Sequence, residues 1–261
     1  MAHDFGFRDG VAAAQIPFFS VFLCFGILFQ RQHKDGWFGI SFFSTIRLIG
    51  ANCMLATIHA DSRGVWAAVF VCESLGLVLL TFVLLNLLKR ANTFVKVLTQ
   101  WHFRVPELIC WAGIGISIAD YISASSKKNA MEPGSLTRAG VGLFVALYVW
   151  AVFLFLSIAQ KWKQVPSNER RSLICFGSTI PFMATRIAYT VTFIATGNEK
   201  YSAVVGDALT YLLMTMLMEV SVLALVVWAI FGLPRMAKIP EGGDNDEESE
   251  ERYQLVVSRP R

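Results

Sequence analysis

Seven blocks of about 20 mostly apolar residues, divided by short polar islands, constrain this chain more than any other feature. They are Val11–Phe29, Trp37–His59, Val65–Leu88, Pro106–Ala124, Gly140–Gln160, Ser172–Thr196 and Val205–Gly232. A helix of that length crosses the ~30 Å hydrocarbon layer of a bilayer. Runs such as Gly76-Leu77-Val78-Leu79-Leu80 do not alternate as barrel strands would. In lipid the backbone must bond to itself, so continuous apolar runs become helices. Composition agrees: 55% of the 261 residues are hydrophobic and only 16% are charged. That balance excludes a disordered chain, a collagen and a coiled coil. The expected fold class is all-α, a polytopic membrane protein with a seven-helix transmembrane bundle.

Residues 1–239 are expected to form this domain and residues 240–261 an acidic, disordered cytosolic tail. The tail holds seven acids against three arginines, and it has too little apolar surface to fold. Twelve Lys and Arg residues fall in the loops after the first, third and fifth blocks and just after the seventh. The opposite side carries six: Arg8, Arg63, Lys127, Lys128, Arg138 and Lys200. The excess places the N-terminus outside or in a lumen and the C-terminus in the cytosol. Met1–Gly10 lacks a basic n-region and a cleavage motif, so the first block is expected to stay as a helix. Between the third and fourth blocks, Phe94, Val97, Leu98, Trp101 and Val105 form one stripe at helical spacing, and Lys96, Gln100 and Arg104 another. This predicts an amphipathic helix over Lys89–Val105 lying on the inner leaflet.

The loops leave no room for a folded domain, so specific chemistry must sit inside the bundle or at its mouths. The five cysteines, Cys24, Cys53, Cys72, Cys110 and Cys175, all fall within the blocks and are expected to pack as small apolar residues. The four histidines are scattered, with no HExxH and no Cys/His cluster, so neither a metal nor another cofactor is expected. There is no phosphate loop and no GxSxG elbow. The seventh block has no lysine for a retinal Schiff base. The third ends in Leu87-Leu88-Lys89-Arg90 rather than the acidic-Arg-aromatic triplet of rhodopsin-like receptors.

Four charges inside the blocks stand out: Arg47, Glu73, Arg186 and Glu219. Each costs at least ~2.5–3.5 kcal/mol to place at mid-bilayer, so such residues face a bundle's interior. The set is neutral, and antiparallel spans bring all four within a few turns of one level. Two Arg–Glu pairs can fix helix register, or the four can line a polar pocket for an amphiphile's head group or a proton path. Tyr189, Asp120, Asp207 and Tyr211 are secondary candidates for the rim of an outward pocket. Pro181, with Gly177 four residues earlier, predicts a kink ahead of Arg186.

Gly36-Trp37, Arg47-Leu48-Ile49-Gly50 and Glu73-Ser74-Leu75-Gly76-Leu77 resemble the front half of a fungal seven-helix membrane family of unknown function. Ile180-Pro181, Arg186-Ile187-Ala188-Tyr189 and Glu219 extend the resemblance through the back half. It implies a fungal source and a multi-pass architecture, and no activity. The chain is also similar, mainly in architecture, to fungal lipid-translocating exporters of the resistance-to-aminocholesterol type.

Three functions remain open from the residues. The first is binding or moving a lipid-like amphiphile in a pocket around the Arg/Glu set. The second is an acid-initiated membrane enzyme that looks like the small fungal terpene cyclases, with Glu73 or Glu219 as the acid. The third is a seven-helix receptor acting through Lys161–Arg171 and the tail. The first is the expectation carried forward, because pocket-like charges are present without a catalytic constellation. The implied partners are membrane lipids and an amphiphilic small molecule, not nucleic acid. The implied place is an integral position in the plasma membrane or an endomembrane.

Overall fold

A computed structural model describes residues 6–59, 62–124, 135–167, 169–197, 201 and 206–233. Among the described residues it contains seven long helices and no strand. They are α1 (Phe7–Arg31), α2 (Trp37–Ala56), α3 (Arg63–Val95), α4 (Trp101–Ala124), α5 (Ser135–Ala159), α6 (Arg170–Thr196) and α7 (Ala208–Gly232). A short 3-10 turn, Trp162–Gln164, links α5 to α6. α1, α2, α5, α7 and the α3 stretch Gly64–Val95 are long and apolar enough to cross a membrane. α4 and α6 are as long; α6 is more polar, with three arginines and five threonines.

α3 is the axis of the bundle. It packs against α2, α4, α5, α6 and α7, and its run from Leu77 to Leu88 is buried on nearly every side. A helix hydrophobic all round belongs in such a place. α1 and α2 form an antiparallel hairpin, and α7 lies along α6. Missing side chains let the helices close up. A Cβ on Gly39 would come within 2.6 Å of Val83 Cγ2, and one on Gly113 within 2.5 Å of Phe144 Cε1. Gly36 makes the tight turn from α1 to α2 with φ of 89°, a conformation that disfavours any side chain.

The amphipathic helix expected over Lys89–Val105 does not form as one element. α3 continues through Val95, because its buried stripe runs on through Leu84, Leu88 and Ala91. Lys96 then turns left-handed and α4 starts at Trp101. Asn92 fastens the turn, donating to Leu98 O at 2.7 Å and accepting from Leu98 N at 3.0 Å. The two stripes read from the sequence are therefore split between helix ends. α4 also begins before Pro106, which sits inside it, and α6 runs unbroken through Pro181. The five cysteines are free thiols, three of them buried. The tail, residues 240–261, lies outside the described residues.

Candidate functional site

α2, α3, α6 and α7 each bring one charge to a single buried network. Arg47 Nη1 lies 2.7 Å from Glu73 Oε1, and Arg47 Nη2 donates to Glu219 Oε1. Arg186 Nε donates to the same Glu219 oxygen at 3.1 Å, and its Nη2 lies 3.8 Å from Glu73 Oε2. The sequence leaves open two Arg–Glu pairs or one shared pocket; the structure joins all four, with each acid facing both arginines. Glu219 and Arg47 are each only 1% exposed. Net neutrality is what allows four charges to be buried together, since an unpaired one would be far more costly.

Local sequence prepares the seat. Gly76, one turn past Glu73, has no side chain, and a Cβ there would overlap the Arg47 guanidinium. Phe43, one turn before Arg47, places its ring 5.6 Å from that guanidinium. Arg186 Nη1 donates to Thr190 Oγ1 at 2.7 Å, one turn on.

The network reaches two further side chains. Tyr211 donates its hydroxyl to Glu73 Oε1 at 2.5 Å, and Gln15 Nε2 of α1 donates to Tyr211 Oη at 2.8 Å. Tyr211 and Glu219 are eight residues apart, which in an α-helix leaves them about 80° apart around the axis. The stretch between them, Leu212–Met216, is π-helical. Its wider turn takes up most of that rotation, so both side chains meet α3 and α2. Sequence reasoning missed Gln15 and the π turn; a glutamine inside an apolar block was the available signal.

Next to the network lies a cleft between α1, α2, α3 and α7. Arg8, Gln15, Glu73 and Tyr211 make its polar wall, while Ala12, Ala51, Met54 and Val69 make its apolar wall. Water centres can occupy about 20 Å³ of it, enough for one water-sized group. Arg8 sits at the entrance, donating to Gly206 O at 2.6 Å with its guanidinium 5.7 Å from the Tyr211 ring. The loop charge count does not anticipate that place for Arg8.

The secondary candidates divide. Tyr211 is part of the network. Tyr189 is buried, with a hydroxyl that has no hydrogen-bond partner among the described residues and a ring 6.5 Å from that of Tyr201. Asp207 is exposed and caps α7, accepting from Thr210 N at 2.9 Å. Asp120 is on α4, and its side chain lies outside the described residues.

A second ion cluster closes the opposite end. Arg90 binds both oxygens of buried Glu169 at 3.0 and 2.8 Å and reaches Asp35 at 3.2 Å. Lys89 pairs with Glu107 at 2.8 Å. In the sequence Arg90 reads as a loop cation, because the third apolar block stops at Leu88 while the helix runs on to Val95.

Residues 5–235 match a family described as "Domain of unknown function (DUF7702)". The chain belongs to this family. No match was found among curated proteins or among solved structures. The matched stretch holds both ion clusters and the cleft.

Proposed function

We propose that the chain is a seven-helix integral membrane protein that holds the head group of a lipid-like amphiphile in the cleft beside the four-charge network. The N-terminus would lie outside or in a lumen and the C-terminus in the cytosol, as the loop charges favour. Glu73 and Arg90 are about 25 Å apart along α3. With the Arg90 cluster at the inner boundary of a ~30 Å hydrocarbon layer, the network lies in its outer half. α4 and α6 count as spans here because they pack within the bundle beside α3, and the polar content of α6 includes Arg186, which the network neutralises. The resemblance to a fungal seven-helix family supports the same reading.

The observation that carries the function is the two-sided cleft, polar toward Glu73 and Tyr211 and apolar toward Ala12, Met54 and Val69. Its apolar wall continues into Trp66 and Phe70, where a tail would lie. A head group larger than water requires α1 to lean outward. α1 is tied across the cleft by the Gln15–Tyr211 bond and by Arg8.

The test is mass spectrometry of lipids retained by the chain purified in mild detergent. Wild type should keep one amphiphile in stoichiometric amount. Ala12→Leu, which overfills the cleft without touching a charge, should release it, while unchanged helicity by circular dichroism and a single sharp elution peak show that the delipidated chain still folds. Equal retention by both would overturn the reading. An acid-initiated enzyme would need Glu73 or Glu219 at the wall of a substrate-sized apolar chamber. The apolar cleft against Phe82 and Trp111 offers about 10 Å³ and has neither acid in its lining.

A further inference from the structure

The stretch formed by the connection from α5 to α6 and the first turn of α6 carries four cations, Lys161, Lys163, Arg170 and Arg171. None of them makes an ion pair among the described residues. Its single acid, Glu169, is buried and taken by Arg90, so it leaves the four uncompensated. They contrast with Lys89 and Arg90 at the same end of the bundle, which are paired.

Two of the four are built into place. The Arg170 guanidinium lies 5.8 Å from the Trp162 ring, and its Nε donates to Val165 O at 3.0 Å. The Arg171 guanidinium lies 5.9 Å from the Trp228 ring. It rests against the end of α7 where Gly232 has no side chain; a Cβ there would overlap it. Both tryptophans are exposed, at 36% and 47%. Exposed tryptophans at the ends of spanning helices sit at the level of lipid head groups. Arginines stacked on them are held at the level of the phosphates, and the guanidinium fork matches a phosphate with two parallel bonds.

We propose that Lys161, Lys163, Arg170 and Arg171, framed by Trp162 and Trp228, bind the head group of a phosphoinositide in the leaflet on that side. The site is separate from the cleft and rests only on the helices spanning a bilayer. Its four free charges match a lipid with one or two phosphomonoesters, which carries about −3 to −5. A single-charge lipid would leave most of the patch unpaired.

The experiment is a titration of the purified full chain, in phosphatidylcholine nanodiscs, with head-group-labelled phosphatidylinositol bisphosphate. Replacing all four cations by Gln should weaken binding by about fivefold per charge at low salt. Arg31→Gln with Lys89→Gln, the same end but outside the patch, should leave binding close to wild type. Arg171→Lys keeps the charge but loses the stacked fork, and should weaken binding several-fold with an unchanged melting temperature. The site is overturned if the four-Gln variant binds as tightly as wild type. It is equally overturned if the control pair loses as much per charge, or if phosphatidylserine at matched charge competes as well, because either marks a diffuse field. If wild type binds only after residues 240–261 are removed, the acidic tail occupies the patch and the lipid assignment falls.

Discussion

At the scale of the residue, the buried charges behave as one unit of four. This separates two expectations that a paired arrangement would merge. Exchanging Arg47 and Glu73 (Arg47→Glu with Glu73→Arg) would restore an isolated pair. Here it sets a carboxylate at position 47 against Glu219 and a guanidinium at position 73 against Arg186. The double exchange should therefore recover only part of what each single one loses, because it restores neutrality but not the two cross contacts. Folded yield and melting temperature in mild detergent read the difference; full recovery by the double exchange would argue for independent pairs. Glu219→Gln removes the acid that bridges both arginines and keeps the shape. It should destabilise the chain by about 3–5 kcal/mol, the range for breaking a buried pair. Gly76→Ala should act on the same network without changing a charge, by forcing Arg47 from its seat, at a cost of about 3 kcal/mol. The four charges were legible in the sequence because ionised groups inside apolar blocks are too costly to be incidental. Their joint geometry was not legible, since it depends on which helices are neighbours.

At the scale of the element, α7 and α3 carry the lessons. The π turn at Leu212–Met216 is a one-turn widening that aligns Tyr211 with Glu219. Deleting Leu213, which is exposed, should return the turn to α geometry with Tyr211 and Glu219 seven residues apart, only about 20° around the axis. The bond from Tyr211 to Glu73 should survive, so helicity by circular dichroism and the melting temperature should both stay close to wild type. A large fall in melting temperature would mean that the turn does more than take up one extra residue. No local signal in Leu212–Met216 announces a π turn, because the same residues make good α-helix. α3 was readable as a helix but not in its full length. Its last two turns are polar in sequence, and they stay helical because Arg90 is bound by Glu169 from the far side of the chain. A salt bridge between residues 79 positions apart leaves no trace in a local pattern.

At the scale of the whole molecule, two ion clusters sit about 25 Å apart on one central helix. An acceptor for N-linked glycosylation placed before α1 should be modified in microsomes, and one placed in the Lys161–Arg171 connection should not. The reverse pattern would invert the orientation and move the basic patch to the other leaflet. The overall class was legible because the bilayer imposes one length and one polarity on every span. The cleft was not, because it arises where four helix ends fail to close completely.

The order of the charges along the chain bears on how the protein is made. On the proposed seven-span reading, Arg47 would enter the membrane on α2 and find Glu73 on the very next helix; Arg186 would enter on α6 and find Glu219 on the next. Each hairpin thus leaves the ribosome carrying its own counter-charge, and no unpaired ion has to wait in lipid for a distant segment to be translated. The cross bonds from Arg47 to Glu219 and from Arg186 to Glu73 form only when the last hairpin arrives. They turn two electrically complete halves into a single bundle, and a chain truncated before α7 would leave Arg186 stranded, a ready mark for quality control.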